Sequence, residues 1–250
     1  MSALTFTLKT SPAQRVDCSP LTADKLADKT TAEIAATTLV VGNQAVRTDE
    51  IFDIQGDDVA NIHFAKASDK LDHIGHAMTT GKITVDGNAG AYLGQFMETG
   101  DITVNGNTGI YTACEMKGGT IKVNGNAGDF LGGARIGYKN GMTGGTVIVT
   151  GNTGARTGDH MRRGYIFIEG DAGDYCGSRM VSGTIAVLGN VGKHFGYAMK
   201  RGTLLLTSAP KHGISATFND RGSPTLAVLP VMFASIKKFN TKFAEDEPSS

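Results

Sequence analysis

The chain has 250 residues, a formal net charge of zero from 24 basic and 24 acidic side chains, and 34 glycines against 6 prolines. Balanced charge gives no strong attraction to nucleic acid or to an anionic membrane, and no apolar run approaches the ~20 residues that span a bilayer. Three widely spaced cysteines without a C-x-x-C pair argue against a disulfide framework and against a zinc or iron–sulfur site. The N-terminus lacks the basic start and apolar run of a signal peptide, so we expect a soluble cytoplasmic protein.

The first 55 residues show no repeat. The segment LTFTLK (4–9) alternates as an edge strand does, 21–36 indicates short helical turns, and 38–41 and 51–54 are typical of further short strands. We predict that residues 1–55 form a cap, because the open end of the repeat that follows would expose unpaired strand edges.

A repeat of nineteen residues occupies the centre of the chain. Between residues 82 and 202 it divides into six segments, of which only the third (120–145) is longer, because it carries an insertion around 135–141. A degenerate copy of the repeat precedes them at 62–81, and a half copy begins at Thr203. Each segment opens with two apolar residues two apart, such as Ile102 and Val104, so both lie on one face of a short strand.

This recurrence predicts a mainly β fold in which the short strands stack in register as a parallel ladder. The expected architecture is a parallel β-helix, a single-stranded solenoid of about seven coils over residues 56–208. Buried columns of β-branched residues and of methionines would fill it; the methionines are Met97, Met116, Met161, Met180 and Met199.

Glycines follow each strand in the pattern G-[ND]-x-G-x-x-x-G, and 29 of the 34 lie between residues 81 and 202. A phosphate-binding loop would need one such turn leading into a helix, and a calcium-binding β-roll would need a nine-residue period with an acid in every copy. The pattern instead favours structural corners, where glycine permits positive φ and close approach of coils. The asparagines beside the first glycines, such as Asn107, tolerate left-handed backbone and predict a ladder of hydrogen bonds between coils.

Residues 209–250 are predicted to form a C-terminal arm or cap. Apolar residues and lysines alternate irregularly over 226–243, which is compatible with an amphipathic helix or an extended arm. Two hypotheses remain open for this segment: it covers the last coil, or it docks on another subunit.

No catalytic residue and no metal site are predicted. His73 and His76 lie three apart beside Asp72, but no further ligand accompanies them, which favours an ordinary surface pair. Cys114 and Cys176 stand at repeat positions that small or apolar residues otherwise occupy, so packing is favoured over nucleophilic chemistry.

One group of basic residues forms a candidate binding site, which we call the basic strip. It comprises Arg135, Lys139, Arg156, Arg162, Arg163, Arg179, Lys200 and Arg201. In a ladder, Arg162/Arg163 and Lys200/Arg201 are two coils apart, and Arg179 is expected between them. The strip is either a solvated or subunit-facing edge, or a site for a carboxylate-rich ligand or partner.

The G-x-x-G-x-x-x-G coils over 62–206 resemble those of the C subunit of formylmethanofuran dehydrogenase and of the C-terminal domain of the glutamate synthase large subunit. A chain of this length with a short N-terminal cap is similar to the first of these two types. The resemblance implies a right-handed coil and a non-catalytic structural subunit, with no cofactor of its own. Amidohydrolase-like, formyltransferase-like and pterin-subunit-like partners would hold the metal and the furan cofactor, methanofuran or methylofuran.

Two assemblies fit this resemblance. The bacterial formyltransferase/hydrolase complex of methylotrophs transfers a formyl group from tetrahydromethanopterin to the furan cofactor and releases formate, in the oxidation of formaldehyde. The archaeal tungsten or molybdenum enzyme reduces carbon dioxide to the formyl group. The whole chain is more similar to the bacterial type. The furan cofactor of the family carries glutamates, which gives the basic strip a candidate ligand. A free-standing β-helix acyltransferase, with its site at the 135–141 loop, and a separate glutamate synthase-like domain are the alternatives.

Overall fold

Short strands and a few single-turn helices make up the protein, which we describe from a computed structural model. The structure describes residues 2–219, 221–222, 227, 230–231, 234 and 241–244. The elements in chain order are β1 (Ala3–Leu8), β2 (Val16–Asp17), α1 (Ala23–Leu26), α2 (Thr31–Ala35), β3 (Thr38–Val41), β4 (Gln44–Arg47), α3 (Thr48–Ile51), β5 (Phe52–Gln55), β6 (Asp58–Ala67), β7 (Leu71–Asp72), β8 (Lys82–Gly87), β9 (Asp101–Asn105), β10 (Thr120–Val123), β11 (Thr146–Val149), β12 (Tyr165–Ile168), β13 (Thr184–Val187), β14 (Thr203–Leu206) and a 3-10 turn (Lys242–Ala244).

The predicted parallel β-solenoid is confirmed. Strands β6 and β8 to β14 pair in parallel, each with the next, and equivalent repeat residues face one another, as Ile83, Ile102 and Ile121 do. On a second face, single bridges join the coils in the same order, for example Ala89 to Thr108. Eight stacked strands, β6 and β8 to β14, give about eight coils, close to the predicted seven.

Stacked apolar columns fill the interior. The two apolar residues of each central coil strand are buried, as with Ile102 at 1% and Val104 at 0% exposure. The methionine column is longer than predicted, because Met78 and Met142 also belong to it. Met142 was not recognised from the sequence, because the insertion shifts it by seven residues from its expected repeat position. In the folded chain its side chain lies in the same interior column as the other methionines.

Two different constraints account for the glycines. Gly106 has no positive φ, but a Cβ there would lie 2.3 Å from the carbonyl oxygen of Gly87 in the previous coil. Gly94 has a φ of 66°, and a Cβ would also meet the side chain of Ile121. Both predicted roles, close approach and positive φ, are therefore present, at different positions of the motif.

The asparagines form a ladder by a different geometry from the one predicted. The Oδ1 of Asn88 accepts a hydrogen bond from the backbone N–H of Asn107 (2.9 Å), and the Oδ1 of Asn107 accepts from that of Asn126 (2.8 Å). The expected left-handed backbone is not found at these asparagines, and positive φ occurs instead at residues such as Tyr92 and Phe96. The ladder bonds backbone to side chain, so each amide oxygen fixes the next coil.

The N-terminal segment extends the sheet and ends it. Strand β1 pairs in parallel with β6 on one side and antiparallel with β5 on the other. Phe6, Phe52 and Phe64 pack together here, with the rings of Phe6 and Phe64 stacked at 5.4 Å. A second sheet, in the order β4-β3-β2-β7, lies in the same part of the chain. The domain boundaries at residues 55 and 208 stay predictions, and the coil strands run from Asp58 to Leu206.

The described end of the C-terminal segment packs on this chain's own sheet. Phe243 is 1% exposed and contacts the outward-facing apolar side chains of Ile148, Phe167 and Ala186. The backbone N–H of Lys242 donates to Glu169 at 3.0 Å. The rest of the predicted helix or arm, apart from isolated positions, lies outside the described residues. No helix in the described ranges is long and apolar enough to cross a bilayer.

Candidate functional site

A column of stacked side chains runs along the outside of the coils. Each coil contributes one member, which lies two residues before the third glycine position of its motif. Neighbouring ring centroids lie 4.8 to 5.1 Å apart. The column is His73, Tyr92, Tyr111, Phe130, Arg156, Tyr175 and His194. Every member has a positive φ, between 57° and 60°, so the backbone turns each side chain the same way. This column was not among the features predicted from the sequence, although the recurring ring at one repeat position is a signal that reveals it.

Arg156 replaces a ring in this column. Its guanidinium carbon lies 5.8 Å from the ring centroid of Phe130 and 4.9 Å from that of Tyr175. Cation–π contacts therefore hold the planar guanidinium on both of its faces. In the other coils of the column, stacking between neighbouring rings plays this part. Within the described part of the chain, its side chain makes no hydrogen bond and no ion pair.

A cleft of about 480 Å³ opens between this column and the 135–141 loop, and we call it the insertion-loop cleft. It brings together three members of the basic strip, Arg135, Arg156 and Arg179. Ile136 and Tyr138 of the loop also line it, and they are 86% and 56% exposed. Sequence spacing alone did not bring these three arginines to one place, because Arg135 lies in the insertion.

Two buried carboxylates form ion pairs with two of the three arginines of this cleft, Arg179 and Arg135. Arg179 donates from Nε and Nη2 to the two oxygens of Asp159, at 3.0 and 2.7 Å. Arg135 holds Glu115 with a different geometry: its Nε donates to both carboxylate oxygens, at 3.3 and 3.2 Å, and its Nη2 lies 3.2 Å from Oε2. The side chains of Asp159 and Glu115 are only 3% and 10% exposed, so each carboxylate needs its arginine. The hydroxyl of Ser178 also donates to Asp159.

A second cleft holds the other arginines of the strip, and we call it the corner cleft. Arg162, Arg163 and Arg201 line its volume of about 460 Å³, together with Thr143 and Ser182. All three arginines are exposed, and none has a carboxylate within 4 Å among the described side chains. Uncompensated positive charge of this kind attracts anionic groups.

The eight residues of the basic strip therefore do not form one continuous line. Lys139 lies on the other side of the loop, in a cleft of about 290 Å³ that Glu115 and Lys117 also line. Lys200 is exposed and lines none of these three clefts. Arg179, expected between the two basic pairs, belongs to the insertion-loop cleft, because its positive φ of 54° turns it around the corner toward Asp159.

The histidine candidates are half-buried rather than the ordinary surface pair predicted, and the Nδ1 atoms of His73 and His76 have no hydrogen-bond partner among the described residues. The ring of His73 stacks on Tyr92 at 4.9 Å and lies 5.6 Å from that of His76. Burial, with the charges of Lys25 and His73, lowers the pKa of His76. No group of three possible metal-ligating side chains occurs within the described ranges, and the absence of a metal site stays a prediction.

The two cysteines of the coils are expected to resist thiol reagents in the folded protein. Burial raises the pKa of both Cys114 and Cys176 to about 12, so almost no thiolate forms at neutral pH. With Ellman's reagent at pH 7.5, neither should react in native protein, and both should react quickly in guanidinium chloride. Rapid native labelling of either residue, located by peptide mass spectrometry, would contradict the packing role.

Comparison with known proteins identifies the family. The family model described as "GXGXG motif" matches residues 37–222, about three quarters of the chain. The chain belongs to the GXGXG-motif family. A solved structure of this fold superposes with a TM-score of 0.91 and 34% identity, covering 96% of this chain and 90% of that one. It is a chain from the crystal structure of the formyltransferase/hydrolase complex (FhcABCD) of Methylorubrum extorquens with methylofuran.

Two curated relatives match a shorter part of this GXGXG-motif protein. Both are named as the C subunit of the tungsten-containing formylmethanofuran dehydrogenase 2 of Methanococcus maripaludis. They are 33% and 31% identical over 95 residues, which is 37% of this chain. The chain spans only 35% of the length of these relatives in the match. These findings confirm the resemblance to formylmethanofuran dehydrogenase that the coils indicate.

Proposed function

We propose that this chain is a non-catalytic structural subunit of a formyltransferase/hydrolase complex in one-carbon metabolism. The observation that carries the proposal is the 34% identical structural match over 96% of the chain to a chain from such a complex. A solenoid suits this role, because the surface that it offers to partners grows with each coil. The archaeal-type enzyme is the second candidate, favoured by the two Methanococcus relatives over their shorter matched span.

The chemistry of the exposed and buried groups supports a scaffold. The thiols within the coils are held protonated by burial. The buried carboxylates Asp159 and Glu115 are each occupied by an arginine. We propose that amidohydrolase-like, formyltransferase-like and pterin-subunit-like partners in the cytoplasm hold the furan cofactor and the metal and carry out the formyl transfer.

Native mass spectrometry tests the proposal most directly. The chain, tagged in its own host and isolated under mild conditions, is expected to be found with the three partner types and with a furan cofactor retained by the assembly. Recovery of this chain alone, or as an active homotrimer, would contradict the proposal. A tungsten- or molybdenum-bearing partner would identify the archaeal type instead.

The corner cleft is proposed to bind a partner's acidic surface or the glutamates of the furan cofactor. Reversing Arg162 and Arg163 to glutamate is expected to weaken assembly or cofactor retention by about 2 kcal/mol, roughly thirtyfold in affinity. The measurement is titration of the variant against the remaining subunits, followed by mass spectrometry of retained cofactor. The double variant Lys29→Glu/Lys82→Glu makes the same charge change elsewhere and should assemble normally. Unchanged assembly and unchanged cofactor retention in the arginine variant would overturn this assignment.

A further inference from the structure

The insertion-loop cleft contains one arginine whose hydrogen-bonding groups are unused. Arg156 is held on both faces by Phe130 and Tyr175, and these contacts leave the in-plane N–H groups free. Elsewhere in the column a ring makes the same stacking contacts, so stacking does not require an arginine here. What the arginine adds is a charged, planar set of donors.

The neighbouring arginines add further donors in a fixed arrangement. Arg135 and Arg179 each use Nε and Nη2 on a buried carboxylate. Their Nη1 atoms have no hydrogen-bond acceptor among the described residues. Three guanidinium groups thus line the cleft, and two of them are paired, Arg135 with Glu115 behind it and Arg179 with Asp159. His160 also lines the cleft, with Nδ1 3.2 Å from Asp159, so Arg156 is the one guanidinium there without a carboxylate.

We propose that the insertion-loop cleft is a carboxylate-binding site in which Arg156 is the primary contact. A guanidinium and a carboxylate match as two parallel N–H···O bonds, and a guanidinium already stacked loses little conformational freedom on binding. The exposed side chains of Ile136 and Tyr138 form an apolar wall for the carbon chain that carries the carboxylate. The cleft volume of about 480 Å³ is within the usual range for small ligands.

Two sources supply such a group, and both present the same chemistry. One is a small dicarboxylate from solution. The other is an acidic side chain of a docked subunit, and this second source rests on the proposed function.

Calorimetry on the full chain tests the site with glutarate as the probe and neutral glutaramide as its matched control. Wild-type protein should bind glutarate saturably and glutaramide at least about tenfold more weakly, because only the charged probe accepts a bidentate pair. Arg156→Tyr restores the ring of the other coils and should keep the melting temperature while weakening glutarate binding about tenfold or more. Arg156→Lys should weaken it several-fold, and Lys82→Gln, which removes a distant charge, should leave it unchanged.

The proposal is overturned if wild-type protein does not distinguish the two probes. It is also overturned if folded Arg156→Tyr or Arg156→Lys binds glutarate as wild type does. Assembly assays with the partner chains then identify the source. Glutarate competing with assembly, together with weaker assembly of Arg156→Tyr, assigns the carboxylate to a partner, whereas unaffected assembly assigns it to a small molecule. Arg156-dependent binding by a chain that joins no complex would contradict the proposed function alone.

Discussion

Gly106→Ala is expected to lower the free energy of unfolding by about 3 kcal/mol or more, at the upper end of overpacking effects. The new Cβ would lie 2.3 Å from the carbonyl oxygen of Gly87 and 2.6 Å from its carbon. Both are backbone atoms, so no side-chain rotation relieves the contact. The coils cannot separate there without breaking the bond from Asn107 to Asn88 and that from the Gly109 N–H to the Ala89 oxygen.

Urea unfolding followed by circular dichroism measures this effect, and Gly137→Ala is the matched control. Gly137 lies in the exposed loop with a φ of 87°, and nothing lies within 4 Å of a Cβ there. That substitution introduces only backbone strain, about 1–2 kcal/mol. Equal losses in the two variants would mean that close approach of the coils does not explain the glycine at position 106.

Phe64→Ala is expected to cost about 3–5 kcal/mol, the range for removing a fully buried aromatic side chain. Phe64 is 0% exposed and lies between the core of the first coil and the rings of Phe6 and Phe52. The cavity would open where β1 and β5 close the end of the sheet. In a solenoid each coil is stabilised by its neighbours, so loss of the end cap should spread into β6 and β8.

Hydrogen exchange with mass spectrometry locates the damage. Amides of β1, β5 and β6 should lose protection in Phe64→Ala before those of β11 and β12. Phe218→Ala serves as the control, because Phe218 is 40% exposed near the opposite end and should cost much less. A uniform loss of protection along the whole chain would contradict the role of Phe64 as a local closure of the stack.

The candidate site shows where prediction from sequence stops. The basic residues were all identifiable, but a repeat alignment does not tell which way a side chain leaves a corner. Arg156 and Arg179 have positive φ, and this turns them into the insertion-loop cleft and away from Arg162 and Arg163. Their partners could not be predicted either: Asp159 lies 20 residues before Arg179, in the previous coil.

The insertion had the same effect on the core and on the site. Its seven extra residues hid Met142 from the methionine column and separated Phe130 from Arg156, which are adjacent in the stacked column. Alignment by a fixed period fails at such a point, whereas the folded chain restores the contact because the loop leaves the coil and returns to it.

The sequence by itself determined the solenoid, its period and its family. Each coil has the same spacing of apolar residues and glycines, and identical units that cannot bury their apolar face alone must stack. Tertiary structure alone decided what the outside of the stack presents: the ring column, the pairing of arginines with buried carboxylates, and the free donors of Arg156. These features depend on the sign of φ at each corner and on contacts between neighbouring coils, which repeat spacing does not specify.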